Sequence, residues 1–557
     1  MVNPIIQDQY TAARAYFASV VGILFVESLL RLPAYLGLKY RRGRPRRGHG
    51  LPHWKLTVLV HKLLTQPLPV PSVTDWHVAD LIRFLVFVAL NVVFGLNDNN
   101  YTTDYKLYGW LTIANGGLAL LMAARTNLFS ILLRIPSPVL LQYHRWAGIA
   151  TVAHATAHFS YNTMHYLRTA QIATSFANSR IRIGLVAWLS LVVILLTALP
   201  VVRRRGFEVF YYAHALFFVF MVGALIHTTN GPEFLLPGFS LWVVDRAIRF
   251  AYNFRRIEVL SVRHYEGNVT KFKVKGIRTS HPGQVVWVQI PSVSFLNWHP
   301  FTVATEPGET NGLASIAVRG LGRYTKGVQH ADDDGEYKGD AGDAGDGADR
   351  QRTAATASEL KMRLDGPYGV GRTQWGELPV AVLVAGGIGI TPAISIVSHL
   401  VKKAVPSNGG NGLPAPGAPA VPHIHLLWVV KETCHIEWFE DELRQLHALS
   451  SQDHVLATLD IAIYTTASAS STLDPPQRPG EPDEIREAKP VLDPWTVNTG
   501  RPDVMAWFDQ VKQARAGMDA AVNVCGPRTL VNEVRKAAVA ASWEKGLFHV
   551  EEEIFEL

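Results

Sequence analysis

The hydrophobic positions of this chain follow two different patterns, one before and one after residue 255. Before that point the apolar residues form long runs, each close to the roughly 20 residues that a helix needs to cross a bilayer. We therefore predict seven membrane spans, although the second contains Arg83 and the seventh carries charged residues near its end. Their bounds are 12–38, 78–96, 107–124, 140–163, 183–201, 207–228 and 235–252.

After residue 255 the apolar runs are short. Segments such as VTKFKVKG and GQVVWVQIP alternate between apolar and polar positions and are separated by Gly and Pro, which is typical of antiparallel strands in a small barrel. Past residue 376, VAVLVAGGIGITPAISIVSHL, HIHLLWVVKE and DAAVNVCGP alternate with helical stretches. Strands that alternate with helices predict a parallel sheet with a nucleotide at the strand ends.

These patterns predict a multi-domain membrane protein, a seven-helix transmembrane bundle followed by a β-barrel domain and an α/β nucleotide-binding domain. The expected segments are an N-terminal span with a basic loop, the main membrane domain, the barrel and the α/β domain, with bounds 1–75, 76–255, 256–375 and 376–557. Three tracts rich in Gly, Pro, Ser, Asp or Ala have little to bury and are predicted as disordered loop insertions, at 331–357, 404–422 and 466–497.

The Lys/Arg bias of the short loops gives the predicted orientation. The loops after the first, third, fifth and seventh spans are basic, including RRGRPRRGH at 41–49 and RRR at 203–205. Basic loops stay on the cytosolic side of a membrane, so the N-terminus is expected outside and everything after residue 253 in the cytosol. Asn100 begins a glycosylation sequon on the predicted outer side. A multi-pass protein of the plasma membrane, surrounded by lipid, is the expectation.

Composition and charge narrow the class of protein. The chain is 48% hydrophobic and 18% charged, with a net charge of +7 that is concentrated in short clusters beside the apolar runs. Such clusters set membrane topology, and nucleic acid is not an expected partner. The two cysteines, Cys434 and Cys525, exclude a cysteine-ligated iron–sulfur cluster, a four-cysteine zinc site and a disulfide framework. The N-terminus lacks the pattern of a signal peptide.

Four histidines lie in the fourth and sixth predicted spans, in two nearly matching pairs, His144 with His158 and His214 with His227. Ionisable residues inside a membrane span are costly and usually functional, and imidazole is a common axial ligand of haem iron. The predicted topology makes the two spans parallel. We therefore expect His144 and His214 to hold an inner haem iron, and His158 and His227 an outer one. His154 fits the ordinary alternative, an interior histidine that is hydrogen-bonded.

The two spacings differ by one residue. His144 and His158 are 14 residues apart, close to four helical turns, so both rings share a face. His214 and His227 are 13 residues apart, which is roughly 220° around an ideal helix. The sequence therefore predicts a local irregularity between them, such as a π-bulge, a kink or a tilt.

Six motifs occur in order: HRWAG among the histidines, HPFTVA at 299–304, GLGRYTKG at 320–327, DGPYG at 365–369, AGGIGITP at 385–392 and CGP at 525–527. With them the chain resembles the ferric reductase and NADPH oxidase superfamily, and within it the fungal ferric/cupric reductases, over roughly 75–557. The resemblance implies a bis-haem membrane bundle and a ferredoxin-reductase-like cytosolic half. It implies two haem b groups and FAD as cofactors and NADPH as electron donor.

The resemblance also implies site residues. The FAD-binding candidates are His299, Pro300, Phe301, Thr302, Arg319, Gly322, Arg323 and Thr325. The NADPH-binding candidates are Gly386, Gly387, Gly389, Thr391, Pro392, Lys431, Cys525, Gly526 and Pro527. The glycines allow backbone N–H groups to approach phosphate, and Lys431 could meet a 2′-phosphate. Cys525 could equally be a small buried residue. In the acidic tail EEEIFEL, Phe555 is the aromatic candidate beside the flavin.

The implied activity is NADPH-dependent reduction of Fe³⁺ or Cu²⁺ chelates on the outer side, in iron homeostasis, with an iron permease or ferroxidase system as a partner. Because the 13-residue spacing resembles that of the oxidases, a superoxide-generating NADPH oxidase is the first alternative. The second alternative, from another class, is a non-catalytic transporter or channel with intramembrane histidines.

Overall fold

A computed structural model describes most of the chain. It comprises two compact units, residues 1–35 with 79–250 and residues 36–78 with 251–556. Asn100, Phe555 and the 331–357 tract lie outside the described residues, as do most of the 404–422 and 466–497 tracts. The described residues are 6, 8–41, 55–68, 76–97, 105–124, 127–133, 135, 137–252, 255, 257–295, 297–306, 308, 312–329, 360–369, 375, 378–405, 423–452, 455, 457–467, 495 and 497–553.

The first unit is helical, and each predicted span falls on a helix or, for the fifth and sixth spans, on two consecutive helices. Four of these regions are long and apolar enough to cross a membrane, at Gln9–Leu29, Val78–Gly95, Ser179–Ala198 and Phe207–His227. The helices up to residue 252 are α1 Gln9–Arg41, α2 Lys55–Thr65, α3 Val78–Gly95, α4 Tyr105–Ala123, α5 Leu128–Leu132, α6 Ser137–Arg168, α7 Ile172–Ala177, α8 Ser179–Ala198, α9 Pro200–Arg205, α10 Phe207–His214, α11 Phe217–His227 and α12 Pro232–Tyr252.

The charged residue in the second predicted span has partners from two helices. Arg83 donates to the Glu27 carboxylate of α1 at 2.7 Å and to Asp80, one turn earlier on α3, at 2.6 Å. A buried charge in an apolar environment is tolerated when it is paired and hydrogen-bonded. This network explains how the helix accommodates Arg83.

The barrel part of the second unit is two three-stranded antiparallel sheets, in the orders β1-β2-β5 and β4-β3-β6. Alternate positions of these strands point into a shared apolar core that includes Phe272, Val286 and Ile316. The elements are β1 Glu258–Tyr265, β2 Val269–Lys275, β3 Val285–Gln289, β4 His299–Thr302, β5 Leu313–Arg319, α13 Arg323–Val328 and β6 Arg363–Tyr368.

The remainder of the second unit contains the predicted parallel sheet, with six strands in the order β10-β9-β8-β7-β11-β12. The chain builds outward from β7 to β10, then crosses to the other side of β7 for β11 and β12. The strand order therefore reverses between β7 and β11, which is where open α/β sheets bind ligands. The elements are β7 Val380–Gly386, α14 Ile390–Lys403, β8 His423–Val430, α15 Glu440–Ser450, β9 Thr458–Thr465, β10 Val497–Thr499, α16 Val504–Ala514, β11 Ala520–Cys525, α17 Arg528–Ala541 and β12 Phe548–Glu553.

The end of the third predicted disordered tract is part of the folded domain. Trp495 is 5% exposed and belongs to the core cluster beside the sheet, and Val497 begins β10. The prediction of disorder up to residue 497 was therefore wrong at its C-terminal end. A single large aromatic side chain supplies enough apolar area to fix the end of a polar tract, a signal that the average composition of the tract concealed.

Candidate functional site

The sixth predicted span is interrupted between its two histidines, as the 13-residue spacing predicted. Helix α10 ends at His214 and α11 begins at Phe217. At the junction Ala215 N–H donates to the Tyr212 carbonyl at 3.1 Å and Leu216 N–H to that of Ala213 at 3.0 Å. These bonds span three residues instead of four, so the chain turns about 120° per residue here. The tighter turn moves His227 toward the face that carries His214.

The inner candidate pair, His144 and His214, has ring centroids 5.9 Å apart. A metal–imidazole bond is about 2 Å long, so two imidazoles that share one metal ion have ring centres roughly 6 Å apart. His144 Nδ1 lies 2.8 Å from the Ala119 carbonyl oxygen, which leaves Nε2 for a metal. A carbonyl partner on the other ring nitrogen is the usual support of a ligating histidine. His214 Nδ1 is buried and has no hydrogen-bond partner within the described chain.

The outer candidate pair, His158 and His227, has ring centroids 6.2 Å apart, and the two ring planes are nearly perpendicular. His227 Nδ1 lies 2.9 Å from the Arg180 carbonyl oxygen, again leaving Nε2 for a metal. Both rings line a cavity of about 380 Å³ whose walls are largely apolar and aromatic, including Trp110, Phe159, Trp188, Leu191 and Phe220. An apolar cavity between two imidazoles suits a flat hydrophobic macrocycle with a central metal. The residues present therefore fit a haem.

Two glycines allow the neighbouring helices to approach the outer histidines. A Cβ added to Gly109 of α4 would lie 2.9 Å from the His158 ring, and one added to Gly184 of α8 would lie 2.8 Å from the His227 ring. Both distances are shorter than van der Waals contact. The sequence signal was one of three glycines in α4 and the one glycine of α8. A glycine in an apolar helix does not by itself distinguish a ligand site from close helix packing.

Replacing either glycine is expected to disturb the outer pair selectively. In Gly109→Ala and Gly184→Ala the new methyl group must push an imidazole aside, so we expect loss of the outer share of bound haem, with the inner share retained. Overpacking of this kind costs about 1–3 kcal/mol. The measurement is haem content and the reduced-minus-oxidised spectrum. Gly148→Ala on α6 is the matched control, because its Cβ would meet nothing within 4 Å; equal loss in all three variants would contradict the expectation.

His154 has the interior role predicted for it. Its Nε2 lies 3.1 Å from the Asn91 side-chain oxygen, and its ring stacks on Tyr108 at 6.0 Å between centroids. Neither contact brings it to a second histidine. It is therefore a hydrogen-bonded residue between helices, distinct from the two pairs.

The flavin-binding candidates lie on β4, at the end of β5 and at the start of α13. The His299 ring stacks on Tyr324 at 4.1 Å between centroids, and Tyr324 Oη accepts from the Ile290 N–H at 3.0 Å. Thr325 Oγ1 accepts the N–H groups of Leu321 at 2.9 Å and Gly322 at 2.8 Å, which shapes the turn.

A buried hydroxyl in this group has no partner. Thr302 is 4% exposed, and its Oγ1 makes no hydrogen bond within the described residues. A buried polar atom without a partner is rare and needs an explanation, such as a bound ligand. Pro300 and Phe301 precede it on β4, opposite Trp287 and Val286 of β3. The HPFT segment thus fits a ring system with polar edges, such as an isoalloxazine.

Arg319 lies between the barrel and the parallel-sheet part of the second unit. A Cβ on Gly387 would be 3.3 Å from its guanidinium, which also lies 5.6 Å from the centre of the Trp438 ring. The sequence placed Arg319 only with the flavin residues. Its position beside Gly387 lets one cation face a phosphate from either nucleotide. Nothing is described of the Arg323 side chain, although its backbone begins α13.

Burial lowers the pKa of His299 to about 4. The imidazole is therefore neutral in the folded protein at neutral pH, while the unfolded chain takes up a proton below about 6.5. The unfolded state binds more protons between these values, so this group makes the fold less stable as pH falls from about 6.5 to about 4.

We expect the acid lability of the flavin domain to be reduced in His299→Phe, which keeps the stacking on Tyr324 and removes the titrating group. Between those pH values, the pH dependence of the unfolding free energy should decrease by the contribution of up to one proton taken up on unfolding. The measurement is a denaturant midpoint followed by flavin release across the pH range. The control is His281→Phe, which replaces an exposed histidine of the same unit. An unchanged slope in His299→Phe would show that His299 is not the source of the acid lability.

The nucleotide candidates meet at the reversal point of the parallel sheet. Cys525, the last residue of β11, pairs in register with Ala385 of β7. A Cβ on Gly389 would lie 2.3 Å from the Cys525 carbonyl oxygen, and one on Gly386 2.6 Å from the Pro527 ring. The two motifs AGGIGITP and CGP therefore contact each other through their backbones, which leaves room above the strands for a nucleotide.

The start of α14 is buried behind these glycines. Thr391 Oγ1 donates to the Ile388 carbonyl at 2.8 Å, and Pro392 lies in the first turn, where its missing N–H costs nothing. Trp428 of β8 donates its ring N–H to the Gly387 carbonyl at 2.9 Å. The sequence did not identify Trp428 as a support of this turn, because it belongs to an apolar strand like many others.

The two thiols of this domain are poor nucleophiles. Cys525 is 3% exposed, and burial raises the pKa of its thiol well above the usual value. Burial and the carboxylate of Glu266 raise the pKa of Cys434 to about 11. Lys431, the 2′-phosphate candidate, is exposed and makes an ion pair with Glu432 at 3.3 Å.

Comparison with known families agrees with this architecture. Residues 108–225 match the family model of a ferric reductase like transmembrane component, 254–372 that of an FAD-binding domain, and 379–539 that of a ferric reductase NAD binding domain. In this order the matches define a membrane protein with a ferric-reductase-type transmembrane domain followed by FAD- and NAD-binding domains. The chain belongs to the ferric reductase and NADPH oxidase superfamily. The fungal subgroup stays a prediction.

The similar proteins include both ferric reduction oxidases and superoxide-generating NADPH oxidases. Ferric reduction oxidase 3, mitochondrial, of Arabidopsis thaliana is 28% identical over 269 residues, covering 47% of this chain and 35% of that protein. The heavy chain of a superoxide-generating NADPH oxidase of Dictyostelium discoideum is 24% identical over 427 residues, covering 70% of this chain and 75% of that protein. A ferredoxin NADP+ reductase structure from Neisseria gonorrhoeae shares 12% identity at a TM-score of 0.32, covering 53% of this chain and 97% of that one. The matches span about a third of the length of the first plant relatives.

Proposed function

We propose that the chain moves electrons from cytosolic NADPH through FAD and two haems to an acceptor across the membrane, and that the acceptor is a ferric or cupric chelate. The observation that carries the proposal is the two histidine pairs. Their ring centroids are 5.9 and 6.2 Å apart, the separation expected of two imidazoles that bind one metal ion from opposite sides. They occur in a chain that also has the FAD- and NAD-binding domains. The transporter alternative leaves those domains unexplained, so we set it aside.

The residues would divide the work as follows. His144 with His214, and His158 with His227, would hold the two irons, and two histidines per iron leave no open coordination site. The acceptor would then be reduced at the outer edge of the site and not at the metal. Bound haems and FAD supply one-electron chemistry that side chains lack, while the protein fixes their positions and surroundings. Carbonyl partners at Ala119 and Arg180 would hold one imidazole of each pair in its orientation.

The cytosolic residues would bind the donor and the flavin. The glycine turn 386–389 and the CGP segment would receive the nicotinamide nucleotide, with Lys431 at its 2′-phosphate. The buried Thr302 hydroxyl and the stacked His299 and Tyr324 rings would border the flavin. Arg319 would supply positive charge between the two. NADPH as the donor, and the plasma membrane as the location, are part of this proposal.

An oxidase that reduces O₂ to superoxide is the second candidate. Two observations favour it: the 13-residue spacing in the sixth span, and the match to the Dictyostelium oxidase, which covers 70% of the chain against 47% for the Arabidopsis reductase. The Arabidopsis proteins carry ferric reduction in their names, and the HRWAG motif resembles the reductases.

One assay separates the two acceptors. Membrane vesicles with the full chain are given NADPH and chelated Fe³⁺, with and without superoxide dismutase, and Fe²⁺ formation is followed. A reductase gives the same rate in both conditions and in the absence of oxygen. Loss of the signal with dismutase would show that superoxide carried the electrons and would overturn the metal-chelate proposal. An iron permease or ferroxidase partner is expected only if the chain is a metal-chelate reductase.

A further inference from the structure

Helix α2 (Lys55–Thr65) carries an apolar stripe that nothing in the described chain covers. The side chains of Leu56, Leu59, Val60 and Leu63 are exposed by 67%, 63%, 43% and 52%. Their spacing of i, i+3, i+4 and i+7 puts them on one face of the helix. Single exposed leucines are common on proteins, but four aligned on one short helix are an apolar surface that asks for a partner.

The opposite face of α2 is fixed to the nucleotide-binding domain. Val58 is buried, and α2 packs against α17. His61 Nε2 lies 3.2 Å from the carbonyl oxygen of Phe548, at the start of β12, and its ring contacts His549 at 5.3 Å between centroids. The apolar stripe is therefore held in a fixed direction, pointing away from the domain.

The segment after α2 adds a charged anchor to the same domain. His77 Nε2 lies 3.3 Å from the Glu552 carboxylate, which also accepts two hydrogen bonds from Arg535. Burial opposes the charged form of Glu552, but the bonds from Arg535 and His77 outweigh it and lower its pKa. Glu552 is therefore ionised at neutral pH and holds the segment in place.

The chain brings the C-terminal end of α2 to the start of a predicted membrane span. Leu68 N–H donates to the Trp76 carbonyl at 3.0 Å, and Val78 N–H donates to the Gln66 carbonyl at 3.1 Å. Val78 is the first residue of α3, one of the four helices long and apolar enough to cross a membrane. The end of α2 is thus one hydrogen bond away from the residue at which that span begins.

Charge along the sequence points to the same surface. Lys55 and Lys62 lie beside the stripe on the same helix, and the sequence before the helix contains five arginines between positions 41 and 47. An amphipathic helix with a leucine face and basic neighbours is typical of helices that lie in the bilayer interface, where anionic headgroups attract the cations.

We propose that α2 lies in the cytosolic leaflet of the membrane with its leucine stripe among the acyl chains, and so fixes the nucleotide-binding domain to the bilayer surface. The partner is the lipid bilayer, with anionic headgroups beside Lys55 and Lys62. The proposal does not depend on haem, flavin or the electron acceptor.

The test uses the full chain in nanodiscs of phosphatidylcholine and phosphatidylserine, with Cys434→Ser to remove the more accessible thiol. An environment-sensitive fluorophore is attached at Leu63→Cys on the stripe, or at Thr57→Cys, an exposed polar position beside it. At residue 63 the emission should shift to the blue, resist iodide in the water, and be quenched by lipids brominated in their acyl chains. At residue 57 these effects should be much weaker.

A second substitution tests the stripe itself. Adding Leu59→Glu to the Leu63→Cys variant should lower the ratio of buried to exposed label at least about tenfold, because burial of one leucine contributes more than a tenfold change in an equilibrium. Thr57→Glu in the same background should leave the ratio unchanged. A label at 63 that iodide quenches as readily as one at 57 would overturn the proposal. A label shielded from iodide but unaffected by brominated lipid would also overturn it, in favour of a protein partner or a second copy.

Discussion

His144→Leu and His214→Leu should each remove one of the two proposed haems and leave the other. Leucine has no ligating atom, so the haem iron would lose one of its two histidine ligands and with it much of what holds the group in place. The reduced-minus-oxidised spectrum should keep about half its amplitude, while transfer of electrons from NADPH to an outer acceptor falls to background. His158→Leu and His227→Leu should give the same haem content through loss of the outer group.

The controls for this prediction lie on the same helix. His165→Leu, in the last turn of α6, should keep the full haem spectrum, because His165 belongs to neither of the two histidine pairs. His154→Leu should also keep both haems, because that side chain bonds Asn91. Unchanged haem content in both His144→Leu and His214→Leu would refute the assignment of the inner pair.

Gly389→Ala should separate the nucleotide site from the electron path. Its Cβ would lie 2.3 Å from the Cys525 carbonyl oxygen, a backbone atom that cannot rotate away. Either the turn or β11 must shift, at a cost of about 1–3 kcal/mol, which corresponds to about 5- to 150-fold in affinity. We expect the KM for NADPH to rise by this factor or NADPH-dependent reduction to be lost, while dithionite still reduces the haems fully.

Gly500→Ala is the matched control in the same domain. Gly500 has a φ of +95°, so alanine there carries the backbone strain of a substituted glycine without a steric contact, since its Cβ would meet nothing within 4 Å. Gly500→Ala should therefore keep the affinity for NADPH. The prediction that this turn acts only on nucleotide binding would be wrong if Gly389→Ala bound NADPH normally, or if it also lost the dithionite-reduced spectrum.

Much of the fold follows from local signals in the sequence. Long apolar runs predicted the positions of the helices, alternation predicted the barrel strands, and Gly-rich turns after apolar strands predicted the parallel sheet. Even the interruption at Ala215 and Leu216 followed from simple counting, because 13 residues do not return to the same face of a helix. These features depend on neighbours within about one or two helical turns.

Other features depend on contacts between distant residues and could not be predicted in this way. Arg83 pairs with Glu27 on another helix, Trp495 packs in a core that other segments build, and His77 pairs with Glu552 near the end of the chain. The approach of Gly109 and Gly184 to the outer histidines is similar, since a glycine in an apolar run has no local signature of what it faces. Spatial pairing of this kind needs the assembled structure.

The raised pKa of the two thiols has a consequence for the chemical durability of the nucleotide-binding domain. Thiolates are the form of cysteine that alkylating agents and peroxides attack, and a raised pKa keeps Cys525 and Cys434 protonated at neutral pH. Alkylating agents and peroxides should therefore react slowly with both side chains at neutral pH.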